Sequence, residues 1–164
     1  METVISDISA FLFWHTPPIL RLLASAPEDD PFLSRLIGRA DLLSLRAEMA
    51  ERIPFCKKSL ANGTMWRGAG EAARSIRDAS MYLAPSLSFP VDVLVTDRRS
   101  QHLSSAIKTR LWTGGVPLGH KVAISDELWA TSPAFTLQQL AARATLGRTV
   151  LMAAGQVPLC VKAG

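Results

Sequence analysis

The chain has 164 residues, of which 48% are hydrophobic and 20% are charged, a composition that is ordinary for a globular protein and excludes a disordered one. No apolar run reaches the roughly 18 residues of a membrane helix, and Glu2 and Asp7 stand where a secretory signal carries basic residues. The net charge of +4 arises in residues 91–164, which hold eight basic and four acidic residues, whereas residues 1–90 hold ten of each. We therefore expect a cytoplasmic protein without membrane contacts, whose second half can attract nucleic acid or an acidic protein surface.

The first helices are predicted from apolar spacing in residues 6–53. Ser6 or Asp7 can cap a helix that the proline pair at positions 17 and 18 interrupts. A further helical turn or two follows, and the acidic loop at residues 26–31 suits the start of another helix, which extends from Phe32 to Ile53 with a break at Gly38. The apolar face of the first helix is predicted to consist of Ile8, Phe11 and Leu12.

The next segment, residues 54–90, combines a loop with one more helix. Residues 61–70 contain three glycines and an Asn-Gly pair, which are typical of a turn. Residues 71–84 are good helix formers with an apolar stripe, and "PSLSFP" closes the segment. We therefore predict that residues 1–90 form a helical region.

After Pro90 the pattern becomes that of a small sheet. "VDVLV" predicts a buried strand, and "SAIKTRLWT" predicts an alternating one. "HKVAI" and "ELWAT" flank Ser125-Asp126, which indicates a hairpin. These elements predict an α+β fold: a helical N-terminal half, then a small and mostly antiparallel sheet, then a C-terminal helix, with residues 91–164 forming a module that shares one core with residues 1–90.

The stretch "ELWATSPAFTLQQLAA" joins the hairpin to the last helix. Ser132 can be the N-cap, and Pro133 then occupies the first helical position, where its missing amide donor costs nothing. An anion at this helix end is the alternative reading. The buried face of the helix is predicted to consist of Leu137, Leu140, Ala141 and Ala144.

The sequence contains no complete catalytic or metal-binding motif. GxSxG, GxGxxG after a strand, the P-loop and HExxH are absent, and the three histidines, His15, His102 and His120, stand in unrelated contexts. Asp92 lies on a predicted strand as in metal-dependent nucleases, but no acid-x-Lys follows it. Cys56 and Cys160 are too few and too far apart for a disulfide framework or a zinc site. We predict a non-enzymatic protein without a cofactor.

A basic edge with one aromatic residue remains as the candidate contact surface. It consists of Arg98 and Arg99 in a turn, Lys108, Arg110 and Trp112 on one face of a strand, and Lys121 on the next strand. Such side chains can hold phosphates while the indole offers a stacking surface. The alternative is that these charges are simply solvated. If the surface binds a partner, replacing Lys108 and Arg110 by Glu is expected to abolish binding and leave stability nearly unchanged.

From Val91 to about Leu151 the chain resembles the middle region of AbiEi-type antitoxins and transcriptional regulators, and of bacterial proteins with a Vsr-like endonuclease domain. The "SAFLFW" segment is similar to one that opens some members. The residues of the last shared element are Thr131, Ser132, Pro133, Thr136, Leu137, Gln139, Leu140 and Ala141.

The resemblance implies a regulator that binds promoter DNA or restrains a nucleotidyltransferase toxin. The alternative that it implies is the accessory, substrate-positioning region of a Vsr-like endonuclease, whose nuclease domain is missing or separately encoded. A partner protein would then be either the toxin or the nuclease domain.

Overall fold

The fold is that of a computed structural model, which describes residues 2–26, 30–38, 40–47, 72, 74–76, 89–101 and 103–156. The predicted turn at residues 61–70, most of the helix predicted after it, His102 and both cysteines lie outside these residues. The described elements, in chain order, are β1 (Thr3–Ile5), α1 (Asp7–His15), α2 (Pro18–Ser25), α3 (Pro31–Ile37), helical residues 40–47, β2 (Val91–Val95), a 3-10 turn (Arg98–Ser100), β3 (Ile107–Leu111), β4 (Lys121–Ala123), β5 (Leu128–Thr131), α4 (Pro133–Ala141) and α5 (Leu146–Gln156).

The five described strands form one mixed sheet in the order β3-β2-β1-β5-β4. The α+β class is confirmed, but the prediction of a mostly antiparallel sheet is wrong. The pairs β1–β2 and β4–β5 are antiparallel, whereas β1–β5 and β2–β3 are parallel. The parallel pair β1–β5 arises because β1, from the first residues, enters the sheet between β2 and β5, whereas β2 and β3 are parallel neighbours that follow each other in the sequence.

Strand β1 was not predicted from the sequence, and neither was α5 as a helix separate from α4. The three residues of β1, "TVI", are all β-branched and all buried, which suits a strand with neighbours on both sides. Its register places Ile5 opposite Val93 of β2 and Ala130 of β5. The first residues of the chain are therefore the centre of the sheet.

The helix boundaries follow the local signals in the sequence. Asp30 caps α3 by accepting hydrogen bonds from the amides of Phe32 and Leu33, at 2.9 and 3.0 Å, and α3 ends at Gly38, whose φ of 80° favours glycine. The prolines separate α1 from α2 as predicted.

The buried face of α1 differs from the prediction. Asp7, Ser9, Ala10 and Phe13 are buried, whereas Ile8 is 38% exposed, and Phe11 and Leu12 are half-buried. The reason is that polar partners turn the helix: the Ser9 hydroxyl accepts the Asp92 amide at 2.8 Å, and Asp7 forms ion pairs. Apolar spacing alone cannot predict a face that buries a carboxylate.

The main core combines residues from both parts of the chain. Ile5, Ala10 and Phe13 lie in one cluster with side chains of β2, β3 and β5, and that cluster also contains Ile76. Within the described residues, no helix combines the length and the apolar character needed to cross a bilayer.

Candidate functional site

A cleft of about 330 Å³ opens beside the end of β3 and the last turn of α4. Five of its lining residues carry a charge or a side-chain amide, namely Asp7, Gln101, Arg110, Gln139 and Arg143, and Trp112 adds an aromatic ring. We call this the β3–α4 cleft. Its volume is at the lower end of the range of about 300–1,000 Å³ that is usual for small-ligand sites.

Asp7 lies in the cleft wall and is 2% exposed. Its φ of 57° is in the left-handed region, which Asp tolerates better than most residues because its short side chain can bond locally. That local bond is present, since Oδ1 accepts the Ile8 amide at 2.9 Å. The backbone amide of Asp7 in turn donates to Oε1 of Gln139, at 3.2 Å. Helix α4 thus holds an unusual backbone conformation at the start of α1.

Two arginines bind the two buried carboxylates behind the cleft. Nε of Arg110 lies 2.6 Å from Oδ1 of Asp92 and 3.5 Å from Oδ2 of Asp7. Arg143, at the end of α4, contacts Oδ2 of Asp7 through Nη2. Because Arg110 stands opposite Leu94 in the strand register, its side chain reaches back two residues along β2 to meet Asp92.

The four charges cancel formally but are not equally exposed. The Asp7 and Asp92 side chains are 3% and 7% exposed, whereas those of Arg110 and Arg143 are 23% and 48% exposed. The described contacts of Arg110 use Nε alone, and those of Arg143 use one Nη, so most of their N–H groups remain available as donors. The carboxylates orient the guanidinium groups, and the open side of the network consists of donors.

Trp112 contributes an aromatic wall. Its ring meets that of the buried Phe135 of α4 edge to face, with centroids 5.2 Å apart and an interplanar angle of 84°. Since Trp112 is half-buried and lines the cleft, α4 fixes the indole in place beside the guanidinium groups.

The structure divides the basic surface that the sequence predicted. Arg110 and Trp112 lie in the cleft, and the exposed Arg98 and Arg99 lie beside it, because Gln101, a cleft residue, donates its amide to the carbonyl of Arg98. Lys121 does not belong to this group, since β4 is the opposite outer strand, four strand spacings or about 19 Å away.

Neither Arg110 nor Lys121 is a simply solvated charge. Lys121 forms an ion pair with Glu2 and lies 4.7 Å from the centre of the Trp129 ring. Arg110 holds two buried carboxylates, so the expectation that Glu at positions 108 and 110 leaves stability nearly unchanged does not agree with the structure. Lys108 is half-buried and stands opposite Asp92 in the register.

The joint between β5 and α4 has the predicted form. Ser132 is the N-cap of α4, accepting the Phe135 amide at 3.3 Å, and Pro133 is the first helical residue. The Ser132 hydroxyl is also 2.7 Å from Nδ1 of the half-buried His120. The hydroxyls of Thr131 and Thr136, 2.7 Å apart, bond across the joint.

The buried face of α4 is rotated from the prediction. It consists of Phe135, Thr136, Gln139 and Leu140, while Ala141 is exposed and Leu137 and Ala144 are only half-buried. The polar bonds of Thr136 and Gln139 favour this rotation, for the same reason as in α1.

Asp7, Gln139 and Arg143 were not predicted from the sequence as site residues. Asp7 was considered only as a helix cap and Gln139 only as part of a shared motif. A signal was present for Asp7, since it is the one charged residue within "VISDISAFLFW". Within the described residues no group of three or more His, Cys, Asp and Glu side chains could hold a metal ion.

Comparisons with known proteins found no matching family model, no similar curated protein and no similar solved structure.

Proposed function

We propose that the chain is a non-enzymatic regulator that binds nucleic acid, with DNA as the first candidate, through the β3–α4 cleft and the adjoining Arg98–Arg99 turn. The observation that carries the proposal is the donor-rich side of the cleft. Guanidinium groups that buried carboxylates hold in place are suited to oxyanions, because they need little reordering when a phosphate arrives.

The charge distribution supports a polyanionic partner. The cleft itself is formally neutral, so the long-range attraction must come from neighbouring charges. Arg98 and Arg99 are fully on the surface, and the side chain of Asp97 that precedes them accepts the Arg99 amide and fixes the turn. Phosphate contacts of this kind position a protein on nucleic acid and dominate its affinity.

The resemblance of residues 91–151 to AbiEi-type regulators is a second, weaker support, because it implies DNA binding. It has no support from the comparisons, so the proposal depends on the cleft and the turn.

The test is the binding of a labelled duplex by fluorescence anisotropy at several salt concentrations. The variant Arg98→Glu/Arg99→Glu is expected to weaken binding at least tenfold and to reduce the salt dependence by about two phosphate contacts. The matched control is Arg35→Glu/Arg74→Glu, which changes the net charge equally at exposed positions of other helical segments. Equal losses in both variants would mean that only net charge matters.

Failure of every nucleic acid to bind would overturn the proposal and transfer it to the other partner that the resemblance implies, a nucleotidyltransferase toxin. Co-purification with the product of a neighbouring nucleotidyltransferase gene would then be the measurement to make.

A further inference from the structure

We propose that the β3–α4 cleft accepts one unpaired nucleotide of a bound strand, with its base against Trp112 and its phosphate on the guanidinium groups of Arg110 and Arg143. This inference rests on the proposed function and specifies the form of nucleic acid that the site selects.

The size and shape of the cleft are the first argument. Reading a base pair inside a duplex requires an element that protrudes into a groove, such as a helix or a two-stranded ribbon. The β3–α4 cleft is instead a concave site of about 330 Å³, which suits one nucleotide that leaves the stack rather than a segment of duplex.

The distribution of donors is the second argument. The guanidinium donors lie on one side of the cleft, and Arg110 approaches its carboxylates through Nε, which leaves both Nη groups for phosphate oxygens. Gln139 uses Oε1 to accept the Asp7 amide, so its NH₂ group is the part that remains for an acceptor on a base.

The aromatic wall is the third argument. Trp112 directly follows Leu111, the last residue of β3, and lies in the same cleft as Arg110, so one nucleotide can meet an indole and a guanidinium together. Its contact with Phe135 restrains the indole before any ligand arrives. Restrained aromatic side chains beside cationic groups are the usual platform for unstacked bases.

The formal neutrality of the network is the fourth argument. Asp7 and Asp92 compensate Arg110 and Arg143, so an uncharged base can enter without facing an unbalanced field. Long-range attraction then belongs to Arg98 and Arg99, and selection of the unpaired nucleotide belongs to the cleft. The two roles are separable by mutation.

The experiment uses three labelled probes of one sequence: a perfect duplex, a duplex with a single bulged nucleotide, and the same bulge with an abasic sugar in its place. The abasic probe keeps the phosphate and removes the base. We expect the wild-type chain to bind the bulged probe about tenfold more tightly than the abasic probe, a ratio within the range for one stacked base. The perfect duplex is expected to bind about as weakly as the abasic probe.

The matched variants are Trp112→Leu and Trp129→Leu. Trp129 lies on β5 beside Lys121, towards the edge of the sheet opposite to β3. Trp112→Leu is expected to reduce the ratio between the bulged and abasic probes to less than about threefold, whereas Trp129→Leu keeps it. The ratio is taken within one variant, so a partial loss of folded protein does not change it.

Equal wild-type affinities for the three probes, with continued sensitivity to Arg98→Glu/Arg99→Glu, would overturn this inference and leave the proposed function intact. The same conclusion would follow if Trp112→Leu preserved the ratio. Absence of binding to all three probes would remove both proposals. If Trp112→Leu does not fold, the three-probe comparison with the wild-type chain decides alone.

Discussion

The two outer strands of the sheet carry similar side chains in very different surroundings. On β3, Arg110 pairs with carboxylates that are almost completely buried, beside the ring of Trp112. On β4, Lys121 pairs with Glu2, whose side chain is 57% exposed, beside the ring of Trp129. A basic residue and an indole on a strand therefore do not define a site. The burial of the opposing acid separates a network that supports the fold from an ion pair at the surface.

The energetic consequence is large on the β3 side only. Removing one partner of a buried ion pair leaves a charge in a poorly solvated place, at a cost of about 3–5 kcal/mol, whereas an exposed pair contributes about 0–1 kcal/mol. Substitutions at each of the two edges test this difference.

The largest effect is expected for Arg110→Ala. It should lower the free energy of unfolding by about 3 kcal/mol, near the lower limit for a buried pair because the guanidinium is 23% exposed. Urea denaturation followed by circular dichroism measures this. Lys108→Ala, two residues earlier on β3, is the control and should cost less than about 1 kcal/mol.

A double-mutant cycle measures the interaction between Arg110 and Asp92 directly. Asp92→Asn should lower the free energy of unfolding less in the Arg110→Ala background than in the wild-type chain, because the buried Asp92 carboxylate has then already lost its ion-pair partner. We expect a coupling energy of about 1–3 kcal/mol. Additive losses would show that the 2.6 Å contact contributes nothing specific.

An intermediate effect is expected at the joint between the two regions. Strand β5, the neighbour of β4, leads directly into α4, which carries Gln139 and ends two residues before Arg143. Ser132→Ala removes the N-cap of α4 and should cost about 1 kcal/mol in the free energy of unfolding. Asp30→Ala removes the cap of α3 and is the matched control.

The two cap substitutions should differ in whether they affect the cleft. Helix α4 packs Phe135 against Trp112, so we expect Ser132→Ala to move the indole NMR signal of Trp112, and Asp30→Ala to leave it in place. Movement of that signal in both variants would mean that the joint has no particular connection to the cleft.

Local chemistry explains how much of this arrangement the sequence could predict. The Ser132-Pro133 helix start, the hairpin around Ser125-Asp126 and the strand β2 were predicted because each depends on neighbouring residues. Strand β1 was missed because three residues are too short for a periodic pattern, and its place in the sheet depends on partners more than 80 positions away.

The cleft could be predicted only in part. Arg110 and Trp112 were selected from their strand spacing, but their partners come from α1, β2 and α4, and no spacing brings Asp7, Asp92 and Arg143 together. Both helices were predicted with the wrong buried face for the same reason. Their buried polar residues are stabilised by distant partners, and apolar periodicity contains no information about those partners.

The smallest effect is expected for Lys121→Ala, on the side that we interpret as a surface ion pair. The loss should be about 0.5 kcal/mol and should shrink at high salt, because the partner carboxylate is exposed and the pair is screened. Lys121→Met keeps an apolar stem and removes the ammonium that lies over the Trp129 ring: if the contacts of the ammonium account for the loss, Met should recover none of it at any salt concentration. Urea denaturation at two salt concentrations measures both. A loss as large as that of Arg110→Ala would remove burial as the property that distinguishes the two edges, and with it the reason to seek the site at β3 and α4 rather than at β4.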